Sequence, residues 1–166
     1  MSELKKKAGF TTLITKFPKA KLPLELSPDS YRNFEKKNKP LSLDSIKNFL
    51  INEQEEVDEF TEFIPCFRLL DTPNFHALVF WQAGLMEYHY ILITFDKGGH
   101  LIDKKSIAGT IPHENAFVVS IADIKSSQKI EVKEGSADTN TKNLTPTSFS
   151  HYYHLNISDN GKITTQ

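Results

Sequence analysis

The stretch Tyr88-His-Tyr-Ile-Leu-Ile-Thr-Phe-Asp-Lys-Gly-Gly-His-Leu-Ile102 decides the fold of this chain. Tyr88 to Phe95 is an aromatic and aliphatic run of strand length, Asp96 with Gly98 and Gly99 supplies a turn, and Leu101 opens a returning strand. The chain ends on a shorter version, Tyr153-His-Leu-Asn-Ile-Ser-Asp-Asn-Gly-Lys-Ile163. Asp-Asn-Gly is a strong hairpin signal, because a tight turn needs positive φ, which Asn and Gly supply at little cost. Both segments therefore predict antiparallel hairpins.

From Phe63 onward the apolar pattern keeps a period of two. Strands are expected at 67–70, 75–82, 88–95, 101–107, 117–124, 129–133 and 149–158, with a stub at 162–165. The runs 75–82 and 88–95 are apolar on both faces, as at the centre of a sheet covered on both sides, whereas Gln128-Lys-Ile-Glu-Val-Lys133 alternates as a half-exposed strand does. Short connections favour hairpins over parallel crossovers. The exception is Glu134–Thr147, a polar stretch read as a long mobile loop.

Ahead of the strands, Phe17-Pro-Lys-Ala-Lys-Leu-Pro-Leu-Glu-Leu26 is rich in proline and lysine, and residues 1–25 read as an extended basic arm. Residues 26–62 hold two short helices. The first follows Leu26-Ser27-Pro28, with Ser27 as N-cap and Tyr31 stapling back onto Leu26; the second follows Leu41-Ser42, with Ile46, Phe49 and Leu50 as its apolar stripe. The expected fold is a single α+β domain over 1–166. It is an antiparallel meander of six to eight strands, curled toward a barrel if its curvature allows, with short N-terminal helices.

Composition narrows the classes of function. With 166 residues, of which 39% are apolar and 25% charged, the chain suits one soluble domain. A net charge of −1 offers no overall attraction to nucleic acid or to an anionic membrane, so neither is expected as a partner. Charge is uneven, however: residues 1–50 carry a net +6, residues 51–62 a net −6, and the remainder −1. The acids of 53–62 read as a solvated helix or loop. One cysteine excludes an internal disulfide, and Ala8–Lys16 is too short and polar for the core of a signal peptide. The expected location is cytoplasmic, unless a leader has been removed.

No cofactor, metal or catalytic residue is expected. The histidines His76, His89, His100, His113, His151 and His154 lack helical ligand spacing. His89 and His100 lie roughly 20 Å apart along their hairpin at the rise of an extended strand. With Asp96 at the turn, His89 should stand opposite Ser106 or Ile107. Cys66 in Phe63-Ile-Pro-Cys-Phe67 has an apolar setting that keeps a thiol protonated and inert. No nucleophile elbow, phosphate loop or dinucleotide fingerprint is present.

The remaining candidate is a binding surface. Tyr88 and Tyr90 on one strand and His151, Tyr152, Tyr153 and His154 on another could present rings with polar tips on one sheet face, a composition suited to a sugar, a nucleobase or a protein partner. Cross-strand aromatic pairing that merely stabilises the sheet is the competing explanation.

The run Tyr90-Ile-Leu-Ile-Thr-Phe-Asp-Lys-Gly-Gly-His-Leu-Ile-Asp-Lys-Lys-Ser-Ile-Ala-Gly109, followed by Ser120-Ile-Ala-Asp-Ile124 and Gly161-Lys-Ile163, resembles small uncharacterised proteins of Bacteroidetes-type bacteria. The resemblance covers about residues 60–166 and rests on hairpin residues. It implies a bacterial origin and a meander of strands, and transfers no catalytic residue. The expected function is thus non-catalytic binding, one form being an immunity-type protein that blocks a toxin. The alternative is a small-ligand carrier or enzyme with a pocket inside a curled sheet.

Overall fold

A computed structural model describes residues 2–70, 72–138, 146 and 148–166. Its sheet has nine strands: β1 Leu24–Leu26, β2 Glu62–Arg68, β3 His76–Ala83, β4 Tyr88–Phe95, β5 Leu101–His113, β6 Ala116–Ile124, β7 Lys129–Asp138, β8 His151–Ile157 and β9 Ile163–Thr165. Strands β2 to β9 follow one another in chain order, each antiparallel to the last, and β1 adds to β6. The meander is open, with β2 and β9 as its ends. Helix α1 spans Glu3–Thr15 and α2 spans Tyr31–Lys37; α3, Leu43–Ser45, widens into a π-helical turn over Ile46–Leu50, where Ile51 N–H donates to the Ile46 carbonyl at 3.2 Å.

The two glycine hairpins share one turn geometry. Asp96 N–H donates to the His100 carbonyl at 2.8 Å, and Ser158 N–H to the Lys162 carbonyl at 2.8 Å. In each, the fourth residue is a glycine with positive φ, 87° at Gly99 and 88° at Gly161. Asn160 does not share that conformation, so the second turn relies on glycine alone: a type I turn closed by a glycine bulge. Asp96 reinforces the first turn, its Oδ1 accepting from the N–H groups of Gly98 and His100, both at 2.9 Å.

Long β5 bends the sheet. Its residues from Leu101 to Thr110 pair with β4, while Gly109 to His113 pair with β6, whose far end takes β1 instead. Register shifts at Tyr90/Ile91 and Thr94/Phe95 add local twist. The sheet consequently rolls one face around a single core that includes Cys66, Val79, Leu92, Ala122, Val132 and Leu155. On the outer face of β3 and β4, Leu78, Phe80, Ile93 and Phe95 meet Phe10 and Leu13 of α1 together with Phe49 and Leu50. Burying each of those large side chains contributes roughly 1.5–3 kcal/mol. Both faces of β3 and β4 are thereby covered, as their continuous apolar runs imply.

Several expectations need correction. Residues 3–15 are helical rather than part of an extended arm. Ser2 caps α1 by accepting from Lys5 N–H at 3.2 Å, and docking of the buried Phe10 and Leu13 overrides a weakly amphipathic sequence. The next helix begins at Tyr31, since Pro28 to Ser30 form a turn in which Ser27 N–H donates to Ser30 Oγ at 3.0 Å. Ser42 caps the third as expected, accepting from Ser45 N–H at 3.1 Å. β2 starts at Glu62 and contains Pro65, tolerated because β2 is an end strand. That edge is not left bare. Asn38 Nδ2 donates to the carbonyls of Pro65 and Cys66, and Arg68 N–H donates to the Pro18 carbonyl at 2.8 Å. Glu134 to Asp138 belong to β7, held by pairing with Ala116 to Ser120 despite a composition poor in strand formers. The rest of the expected 134–147 loop, apart from Pro146, lies outside the described residues.

Candidate functional site

The aromatic residues singled out by sequence do not form one open face. Tyr90 is fully buried, its hydroxyl donating to the Ser27 carbonyl at 2.8 Å, and its ring lies 4.6 Å from that of Trp81. Trp81 also stacks on Tyr31 at 4.6 Å and on Tyr88 at 5.9 Å, with interplanar angles of 6° and 3°. Tyr90 is thus a core residue, and Tyr88 is half-buried beside it. On β8, Tyr153 turns toward the core, its ring 5.6 Å from that of His151. Tyr152 and His154 alternate with it, point outward and are exposed. Strands β5, β6 and β7 separate the two groups in the sheet. Burial and the nearby Glu134 carboxylate raise the Tyr153 phenol above its ordinary value. What β4 and β8 share is the core beneath them.

The histidines of the long hairpin have separate partners. His89 Nδ1 lies 3.0 Å from Ser106 Oγ, although the register shifts at Thr94/Phe95 and Tyr90/Ile91 together set the His89 backbone against Gly109 rather than Ser106 or Ile107. His100 Nδ1 lies 3.1 Å from Asp96 Oδ1, and its Nε2 is 3.6 Å from Glu3 of α1. Among the described residues no cluster of His, Cys, Asp and Glu has the geometry to hold a metal. Cys66 is wholly buried, which pushes its thiol far above the range where a thiolate forms at neutral pH.

A different feature stands at the β3–β4 turn. The cover of α1 and the π-helical turn ends at Leu50, and the acidic segment 51–61 continues it across the outer face of the sheet. Lys104 of β5 ties that segment down: its Nζ donates to the Leu50 carbonyl at 2.7 Å and to Glu55 Oε1 at 2.5 Å. Asp58 shapes the next stretch in the manner of an Asx turn. Its Oδ1 accepts from Phe60 N–H at 2.9 Å and from Thr61 Oγ1 at 3.0 Å. Between this segment and the turn Gly84–Glu87 lies a cleft of about 330 Å³, lined by Glu56, Asp58, Thr61, Gln82, Gly84, Leu85, Met86, Glu87 and His89.

Among the described residues three carboxylates line this cleft, and no lysine or arginine does. His89 Nε2 lies 3.7 Å from Glu87 Oε2. Gln82 Oε1 is buried, and no donor among the described residues reaches it. Leu85 and Met86 are 78% and 57% exposed, and Phe60 on the acidic segment is 76% exposed. Such residues on a surface are weak marks singly, but Leu85 and Met86 stand together in the lining of the charged cleft.

Sequence reasoning passed over these residues, reading the acids as solvated and the Gly84-Leu-Met-Glu87 turn as a mere connection. The available signal was two large apolar side chains in a turn, where glycine, asparagine or aspartate is usual. No family model, no curated protein and no solved structure matches the chain. Among the described residues no helix is long and apolar enough to cross a membrane.

Proposed function

We propose that this chain is a non-catalytic bacterial interaction protein of the immunity type, binding a protein partner through the cleft at the β3–β4 turn. The observation that carries the reading is the exposure of Leu85 and Met86 in the lining of a cleft that also holds three carboxylates. An apolar rim around a polar centre suits a protein surface, where burial of the rim supplies affinity and the charges select the partner. The competing reading, a carrier or enzyme with a pocket inside the curl, has less support, because hydrophobic side chains from β2 to β8 fill the inner face.

The test replaces Leu85 with a photo-crosslinking phenylalanine analogue in cells of the source organism, with the same replacement at Tyr152, 67% exposed on β8, as control. A discrete protein adduct from position 85, and none from position 152, is the expected result. Equal labelling at both positions, or none at 85, overturns the proposal.

A further inference from the structure

We infer that His76 makes the docking of α1 sensitive to pH: with a neutral imidazole the helix lies on the outer face of β3 and β4, and protonation of the ring releases it. The hold on α1 is narrow. Of its 13 residues only Phe10 and Leu13 are buried. A helix of that length is marginal in water by itself, so leaving the sheet means melting. The Phe10 ring is the centre of the contact. It lies edge-on to Phe95 at 4.9 Å and to His76 at 5.4 Å, tilts against Phe49 at 5.7 Å, and packs on Gly99 of the β4–β5 turn.

His76 opens β3, where its register partner is Phe95. Arg68 of β2 pairs with Leu78, two residues along and on the same face, and Lys97 follows Phe95 by two residues in the turn. The half-buried imidazole therefore has a cation on either side and the Phe10 ring against it. Neither cation is neutralised, since among the described residues no carboxylate pairs with Arg68 or Lys97. Lys97 Nζ donates to the Thr72 carbonyl at 3.4 Å, and the buried Arg68 Nε has no acceptor.

A third positive charge at this point has to form half out of water, between two like charges. Burial first, then Lys97 and Arg68, hold the His76 ring below the ordinary imidazole range. A group lowered on docking contributes its full share above its free value, and that share is lost as pH falls below it. Release of Phe10 returns the ring to water and relieves the cost. The other histidine at this interface, His100, has carboxylates on both sides, Asp96 at 3.1 Å and Glu3 of α1 at 3.6 Å. The two rings thus stand in opposite electrostatic settings, and separate variants distinguish them. What α1 covers is the outer cluster of Leu78, Phe80, Ile93 and Phe95, so acid governs access to that face.

The test is hydrogen exchange of the full chain at about pH 7.5 and about pH 5, the span over which imidazole titrates, with rates corrected for the intrinsic effect of pH. Protection of amides 7–15 should fall at least about threefold on acidification while that of β6 and β7 holds. The fall should vanish in His76→Gln and persist in His100→Gln. By linkage, Phe10→Ala should raise the pH at which the His76 ring titrates, followed by NMR. Unchanged protection in the parent overturns the inference, as does a rise, which would mean that the imidazolium gains more from the Phe10 ring than it loses. A fall that survives in His76→Gln, a fall shared equally by β6 and β7, or a His76 titration indifferent to Phe10→Ala overturns it as well.

Discussion

The hydroxyl of Tyr90, in the middle of β4, donates to the carbonyl of Ser27 at 2.8 Å, joining the inside of the sheet to the turn that leads into α2. Tyr90→Phe keeps the ring against Trp81 and leaves that carbonyl without its donor. A loss of about 1–3 kcal/mol is expected, or a fall in Tm of about 2–4 °C per kcal/mol, measured by thermal unfolding. Crosslinking at position 85 should be unchanged, because Tyr90 faces the core and the cleft lies on the opposite face.

Stability should fall on the alkaline side. Burial raises both the Cys66 thiol, from 9.0, and the Tyr90 phenol, from 10.0, so the folded chain holds these protons more tightly than the unfolded chain. A group raised on folding contributes stability that is complete below its unfolded pKa and is lost as pH rises above it. Denaturant midpoints should therefore decline above pH 9, by up to about 1.4 kcal/mol per pH unit for each group. Cys66→Ala should flatten the first part of the decline and Tyr90→Phe the second. An unchanged slope in both variants counts against this assignment.

Lys104 holds the acidic segment to β5 through Glu55 and Leu50, and both charges are largely shielded from solvent. Lys104→Met should cost about 1 kcal/mol overall, at the upper end for a partly exposed pair. Its larger effect should be local: hydrogen exchange of amides 52–60 should accelerate while that of β3 and β4 stays slow. Uniform acceleration throughout the chain would show that the tether is global.

Gly99 and Gly161 should not tolerate alanine. Each has positive φ, and an added Cβ would stand 2.8 Å from the Phe10 ring in the first case and 2.8 Å from Ile102 Cδ1 in the second. The backbone conformation alone costs about 1–2 kcal/mol for a non-glycine residue. Gly98→Ala, whose Cβ would meet mainly the far end of the His100 side chain, should be milder. Comparison of the three Tm values checks the ordering, and Gly98→Ala as the worst would contradict it.

Much of the fold was legible because it depends on neighbours in sequence. The glycine turns after Asp96 and Asp159, the two-sided burial of 75–82 and 88–95, and the Ser42 cap all follow from residues within a few positions of one another. Elements stabilised from a distance were not legible. Helix α1 depends on Phe95 and Phe49 beneath Phe10, and the end of β7 depends on its pairing with Ala116 to Ser120.

The site divides along the same line. The sequence holds the ingredients, an acid run at 53–62 and a Leu-Met turn at 85–86, but not their proximity. Folding brings the two together when Lys104 pins the acidic segment across the outer face of the sheet. It also withdraws Tyr90 into the core, because a period of two states that alternate residues face opposite ways without saying which side becomes the core. That choice fell to the rolling of the sheet, which buried the Tyr88–Tyr90 side and left the Gln82–His89 side facing the cleft.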